Sequence, residues 1–500
     1  MARENFSRNW DRMALEEQRE YRDRKLSYFV RTRLYPYSRF YRKLFDENKV
    51  RPESIRGVED LRRLPFTYKS DIAPDAGDPY LYERFVIEPD DESMAEFMPR
   101  TSYWKMRSDR LLKGVDFVAK AVREEYGPVH VQFTTGRTGM PTPIMYARAD
   151  MDRMAEAGRR VLELAGFGTA LPVAGSTVLN VMPFAPHLGF WMAAEGLHRA
   201  GVLSLETGGG RAMGTGRIIG AARSARPTAI IGMPGYVYHL LRKALHTHSD
   251  LSSVRLVILA GERIPRGMKD ALKELLEKMG ASDVTVVGTF GFTEGRKAYA
   301  ECAAGMDAGY HLYPDMDHFE LIDAETEEPV GEGEDGEIVY TCLDGRGTCV
   351  VRFRTGDFVK GGIVNEPCPG CGRRVPRLGG DISRTGKVKG FSLIKLKGAL
   401  VDQSAFQGIL GGNPRVADWQ VRIGKAANDP FEVDVLEVYA NLVGGADEDA
   451  VRREIDDAFL LETEVRPNSI SFMDADELVE KLRPDGSMKE LRVVDNRPDL

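Results

Sequence analysis

The chain of 500 residues is poor in cysteine, has no long apolar run and carries no excess of positive charge. Five cysteines, a low and odd number, exclude a disulfide framework and make the cytoplasm the expected compartment. No stretch approaches the roughly 20 consecutive apolar residues that a membrane helix needs. The N-terminal MARENFSRNWDRMALEEQRE is charged throughout and lacks the apolar centre of a signal peptide, so no membrane partner is expected. A formal net charge of −7 argues against nucleic acid as a partner, because such proteins usually present a basic face. Low-complexity tracts and internal repeats are also missing.

What is present describes a globular chain: 42% hydrophobic and 29% charged residues. Its length exceeds one ordinary core, so two or more domains are expected. The first hundred residues read as polar helices. From about Val129, strand-like runs (VHVQFTT, TVLNVMPF, VLSLET, TAIIGMP, LVILAGE, DVTVVGTFGF) alternate with turns or helices such as MDRMAEAGRRVLELAG. That alternation predicts an α/β fold with a mostly parallel sheet covered on both faces. From about His318 the pattern becomes strand, turn, strand, the pattern of antiparallel hairpins. Beyond about Lys389 a small α+β unit is expected, with a hinge between Lys387 and Ser392. The predicted domains are 1–388 and 389–500.

In α/β sheets, ligands bind at the carboxyl ends of strands. FTTGRTG, GMPG, AGE and GFTEG all fall there. In the first, Thr134, Thr135, Gly136, Thr138 and Gly139 offer hydroxyls and unhindered backbone N–H groups, as a polyphosphate requires. The Gly-Lys-Ser/Thr of a Walker loop is absent, and a Thr/Gly-rich hairpin turn is the plainer alternative. Glu294, beside Thr293, could share Mg2+ with substrate phosphates. Asp357 in RFRTGDF suits a pair of ribose hydroxyls, and Gly261 and Glu262 occupy a further strand end.

CPGCG, from Cys368 to Cys371, is a Cys-x-x-Cys knuckle. With Cys302 and His311 upstream it supplies three thiolates and an imidazole, the donor set of a closed, structural zinc site. His318 is a possible substitute ligand. Cys342 and Cys349 read as buried strand residues.

TTGRTGMPT, FGFTE, FRTGD, SLIKLKGALV and GSMKELRVVDNRP occur in the order of the motifs of the adenylate-forming superfamily. FYRKLFDENKVRPESIRGVEDLRRLPFTYKSDI resembles the N-terminal segment of its phenylacetate-CoA ligases. The resemblance covers nearly the whole chain. It implies a large N-terminal adenylation domain, with sheets covered by helices and a β-rich subdomain, and a small mobile C-terminal lid. The implied reaction is ATP-dependent activation of a carboxylic acid, aromatic in this subfamily, as its acyl-adenylate, followed by transfer to CoA. Thr134, Thr135, Gly136, Arg137, Thr138 and Gly139 would then embrace the β- and γ-phosphates. Thr293 would contact the α-phosphate and Glu294 the Mg2+. Gly261 and Glu262 would flank the adenine and Asp357 bind the ribose, with Phe290, Gly291 and Lys389 also in the ATP/AMP site. Lys489 would be the catalytic lysine. Phe184, His187, Gly232 and Tyr236 would line the acyl pocket, with Met233, Gly235 and Trp191 nearby; His187 reads equally as a buried structural histidine. Relatives are often dimers, so a homodimer is possible.

The chain departs from the family pattern at three places. Met140 replaces the loop lysine, Arg137 a central threonine, and Lys389 and Ser392 the hinge Arg and Asp. These changes leave open other acceptors (an amine or a carrier-protein thiol), activation of an inorganic acid such as nitrite, or a nucleotide-binding protein without catalysis.

Overall fold

The computed structural model describes residues 9–75, 77–134, 141–262, 264, 266–304, 308–384, 393–397, 399–443, 446–482 and 491–498. Helices dominate the N-terminal part, including Leu15–Phe29, Arg39–Glu47, Arg100–Lys113 and Val115–Tyr126. The following strands are β1 (Pro128–Thr134), β2 (Thr142–Ala147), β3 (Thr177–Asn180), β4 (Leu203–Glu206), β5 (Ala229–Gly232), β6 (Leu256–Leu259), β7 (Thr285–Phe292), β8 (Lys297–Ala300) and β9 (Tyr310–His311). After them come β10 (Asp317–Ile322), β11 (Gly336–Cys342), β12 (Phe353–Lys360), β13 (Ile363–Val364), β14 (Arg377–Leu378) and β15 (Asp381–Arg384).

Among the described residues the largest sheet runs β13-β14-β9-β8-β7-β6-β5-β3-β4, and its β4-β3-β5-β6-β7 portion is parallel. Period-two alternation divides the central strands between two cores. Ala229, Ile231, Leu256 and Ile258 face one core, and Ile230, Val257 and Leu259 face the other. Both faces are therefore dry, and these strands are continuous apolar runs with no polar stripe. Helices Arg148–Leu164 and Leu188–Ala200 pack together on the first side. Pro234–His246 and Arg266–Glu277 cover the second.

The first strand is not part of this sheet. It pairs antiparallel with β2 in a separate hairpin, through Thr134. Its connection spans residues 135–141, and a parallel crossover needs a dozen or more. A second, antiparallel sheet runs β10-β11-β12-β15, as the hairpin pattern after His318 predicts.

The C-terminal part has its own core around Phe406, Trp419, Val421, Leu436, Val438 and Phe459. Its strands are β16 (Leu393–Leu396), β17 (Ala399–Asp402), β18 (Val416–Lys425), β19 (Asp434–Leu442), β20 (Ser469–Phe472) and β21 (Val493–Asp495), the last four ordered β20-β19-β18-β21. The Asp447 side chain caps helix Glu448–Thr463 by accepting from the Asp449 and Ala450 amides. The boundary expected at 388/389 and the hinge residues Lys389 and Ser392 lie outside the described residues. Among the described residues no helix is long and apolar enough to cross a membrane.

Candidate active site

A cavity of about 1390 Å³ opens where the parallel strands end. The residues that follow β3, β5, β6 and β7 (Met182, Met233, Gly261 and Glu294 among them) all line it. One arm is apolar. Val161 and Leu162 come from helix Arg148–Leu164, Leu188 and Met192 from Leu188–Ala200, and Met182 and Ile231 from the sheet. The two helices approach closely at a glycine pair: a Cβ on Gly158 would meet Met192 O at 2.6 Å and Gly196 Cα at 2.7 Å. Glycine at 158 and 196 lets both helices carry their side chains to the cavity wall.

The other arm is polar. Thr134, Thr293, Glu294, Asp357, Gly261 and Glu262 share its wall with Phe290 and Gly291. Thr134 ends β1 opposite Thr142 on β2. Both hydroxyls are buried without a hydrogen-bond partner among the described residues, at the base of the expected phosphate loop. Buried hydroxyls are normally satisfied, and of the two Thr134 lines the cavity. Glu294 lies two residues past the end of β7, is 7% exposed, and lies 3.6 Å from the ammonium of Lys69. Gly261 has a φ of +90°, a left-handed conformation that glycine adopts without strain. Phe290 sets its ring 6.0 Å from that of Tyr310. At Gly291 a Cβ would meet Ala298 Cβ at 2.7 Å, so only glycine allows the close β7–β8 pairing there. His187 also lines the cavity, where its Nδ1 lies 3.1 Å from the carbonyl of Phe133 and so ties the end of β1 to the start of a helix.

Thr134, His187, Gly261, Glu262, Phe290, Gly291, Thr293, Glu294 and Asp357 therefore surround one space, although they come from distant parts of the chain. Thr135, Gly136, Arg137, Thr138, Gly139, Met140, Lys389 and Lys489 lie outside the described residues. Phe184, Gly232 and Tyr236, expected in the acyl pocket, are placed elsewhere. Phe184 is 63% exposed and packs edge-on against Phe190. The space beside Gly232 is filled by Val181 and Val237. Tyr236 is turned toward Thr215, with its hydroxyl 3.3 Å from the threonine hydroxyl. Val161, Leu162, Met182, Leu188 and Met192 line the cavity together with Phe133, Phe290, Phe292 and Tyr310. Motif reading also missed Lys69, Lys269, Glu301 and the C-terminal Lys425, Asp434 and Arg497, all of which line the cavity. Tertiary structure alone brings these together.

A second cluster includes Cys302 and His311, the chain neighbours of the cavity-lining Glu301 and Tyr310. Ligand atoms of Cys302, His311, Cys368 and Cys371 all lie within 4.8 Å of one another. Cys302 and Cys368 Sγ are 3.8 Å apart, and Cys371 Sγ is 3.3 Å from His311 Nε2. A tetrahedron of Zn–S bonds near 2.3 Å has edges of about 3.8 Å. The far ring nitrogen, His311 Nδ1, lies 3.3 Å from the Ala300 carbonyl, which can fix the tautomer and leave Nε2 for a metal. Cys302 and His311 hold the Cys371 thiol down while Cys371 pushes the Cys302 thiol up, as expected of sulfur atoms crowded around one point. His318, the substitute considered, is half-buried on β10 and is not part of the cluster.

Residues 73–347 match the model of the AMP-binding enzymes, and the chain belongs to that family. It is 27% identical over 423 residues to a phenylacetate-coenzyme A ligase of Thermus thermophilus, across 82% of this chain and 80% of that one. A phenylacetate-coenzyme A ligase of Aromatoleum evansii is 24% identical over 385 residues, across 75% and 72%. Among solved structures, a 2-hydroxyisobutyryl-CoA ligase in complex with 2-HIB-AMP and CoA shares the fold, with a TM-score of 0.73 over 98% of this chain and 92% of that chain at 21% identity.

Proposed function

We propose that this enzyme activates an aromatic carboxylic acid and hands its acyl group to CoA. The reaction class is that of AMP-forming acid–thiol ligases. A carboxylate oxygen attacks the α-phosphorus of ATP and pyrophosphate leaves. The CoA sulfur then attacks the acyl carbonyl, and AMP leaves with the electron pair of the broken C–O bond.

The observation that carries this reading is the convergence of Thr134, Glu294, Asp357 and Gly261 on one cavity that continues into an apolar arm. The apolar arm takes the body of the acid, and phenylacetate is the acid in the names of the relatives. Thr134 and the loop from Thr135 to Gly139, with Arg137, hold the β- and γ-phosphates. Glu294 is the residue for Mg2+, which prefers oxygen donors shared with phosphates and neutralises the charge that builds up there. Thr293 takes the α-phosphate, Asp357 the ribose, and Phe290 with Gly261 and Glu262 the base. Lys489 reaches the α-phosphate when the C-terminal domain, from residue 389 onward, turns about Lys389. There its ammonium stabilises the developing charge. Cys302, His311, Cys368 and Cys371 hold a structural zinc ion, which four protein ligands would close to water.

The test is product analysis with a panel of acids in the presence of ATP, Mg2+ and CoA. Equal amounts of AMP, pyrophosphate and an aryl-acyl thioester are expected. Thioester formation with aliphatic acids alone would contradict the aromatic assignment, and acid-dependent AMP release without thioester would contradict CoA as acceptor.

A further inference from the structure

Lys269 and Glu301 form an ion pair that no step above uses. Lys269, on helix Arg266–Glu277, donates to Glu301 Oε2 at 2.5 Å, and the Gly288 amide donates to the same oxygen at 2.7 Å. The residues are 3% and 5% exposed, yet both line the cavity. Ile264 Cδ1 and Glu301 Oε2 both lie against Gly288, two residues before Phe290 on β7, and Phe290 was assigned above to the base.

Burying an ion pair is poor stabilisation, since desolvation offsets the Coulomb gain. A pair kept at a cavity wall is better explained by what it recognises. Its position is tightly set. A Cβ on Gly288 would lie 3.1 Å from Glu301 Oε2 and 3.0 Å from Ile264 Cδ1, so glycine there lets the carboxylate lie against β7. Tyr310, whose ring lies 6.0 Å from that of Phe290, lines the same cavity as Glu301. A carboxylate has about four acceptor sites. Both donors named above use one oxygen, which leaves capacity for a donor from a ligand.

On the reading of this arm as the ATP site, we infer that Glu301, held by Lys269 and the Gly288 amide, reads the edge of the purine and selects a 6-amino over a 6-oxo base. Adenine presents N–H donors to the carboxylate. A 6-oxo purine presents a carbonyl, and two acceptors face each other. A site that matches a substrate donor rejects analogues lacking it more strongly than an apolar wall does.

Equilibrium binding of ATP, inosine triphosphate and purine riboside triphosphate to the full-length protein with Mg2+ tests this. The unaltered protein should bind ATP about tenfold or more tighter than either analogue. In Glu301→Gln, whose amide can both accept and donate, the ATP-to-inosine ratio should fall to within about threefold. Equal binding of ATP and purine riboside triphosphate by the unaltered protein overturns the inference, and that comparison stands even where the variant does not fold. A variant that weakens all three nucleotides by one factor overturns it too, because a merely structural pair acts that way. Failure of the unaltered protein to bind any of the three refutes the nucleotide site itself.

Discussion

Lys69 Nζ lies 3.6 Å from Glu294 Oε1, joining the N-terminal segment to the carboxylate assigned to Mg2+. The segment is fixed in place by Thr67, whose amide donates to Arg352 O and whose carbonyl accepts from Arg354 N, beside the strand that carries Asp357. The family's loop lysine is Met140 here, and on the reading proposed above Lys69 brings a positive charge to the phosphate end of the cavity. Lys69→Met should raise KM for Mg-ATP by about tenfold, the scale of one charge-assisted contact, with a smaller change in kcat. Steady-state kinetics over ATP concentration checks this; an unchanged KM would remove Lys69 from the phosphate site.

Lys489 should act on the chemical step and not on nucleotide affinity. Lys489→Ala should slow acyl-adenylate formation by about a hundredfold or more while leaving ATP binding nearly unchanged. Single-turnover adenylation alongside equilibrium ATP binding separates the two. Unaltered adenylation would refute the role.

Much of this site was legible because strand ends announce themselves. AIIG and LVIL are short apolar runs closed by glycine, and TVVGTFGF leads straight into Thr293 and Glu294. Phe184 and Tyr236 were misplaced because an aromatic side chain reads alike in a pocket, a surface cluster or a core. Tyr236 packs so closely on Gly210 that a Cβ there would meet its hydroxyl at 2.7 Å, and nothing in GMPGYVYH signals that contact. The Lys269–Glu301 pair depends on β7 and β8 folding back on each other, which places Glu301 beside Gly288. FTYKSDI marked the N-terminal segment as a match to the subfamily without assigning Lys69 a part.

The metal cluster should hold one zinc ion per chain. Elemental analysis of protein purified without chelator should find it, and Cys368→Ser should lower both the zinc content and Tm, because structural metal binding contributes folding free energy. Zinc-free protein with unchanged Tm would contradict the site.

Glu156 gives the wall of the apolar arm a pH dependence. Burial alone would raise its carboxyl, but Arg159 first, then Arg160 and Arg199, hold it down at about 2 from an ordinary 4.5. A depressed carboxyl contributes stability that is fully present above its unfolded value and lost as pH falls through the folded one. Glu156→Gln should therefore lower Tm at neutral pH, and the difference should shrink as pH falls from about 4.5 toward 2. A Tm difference independent of pH would show that the guanidinium contacts to Glu156 add nothing through its charge.

The central claim is that a carboxylate oxygen attacks the α-phosphorus of ATP inside this cavity. Supplying the acid with 18O in its carboxylate and weighing the products by mass spectrometry tests it directly. One labelled oxygen should pass to AMP and none to pyrophosphate. Label in the pyrophosphate or in free phosphate, or unlabelled AMP, would contradict the account.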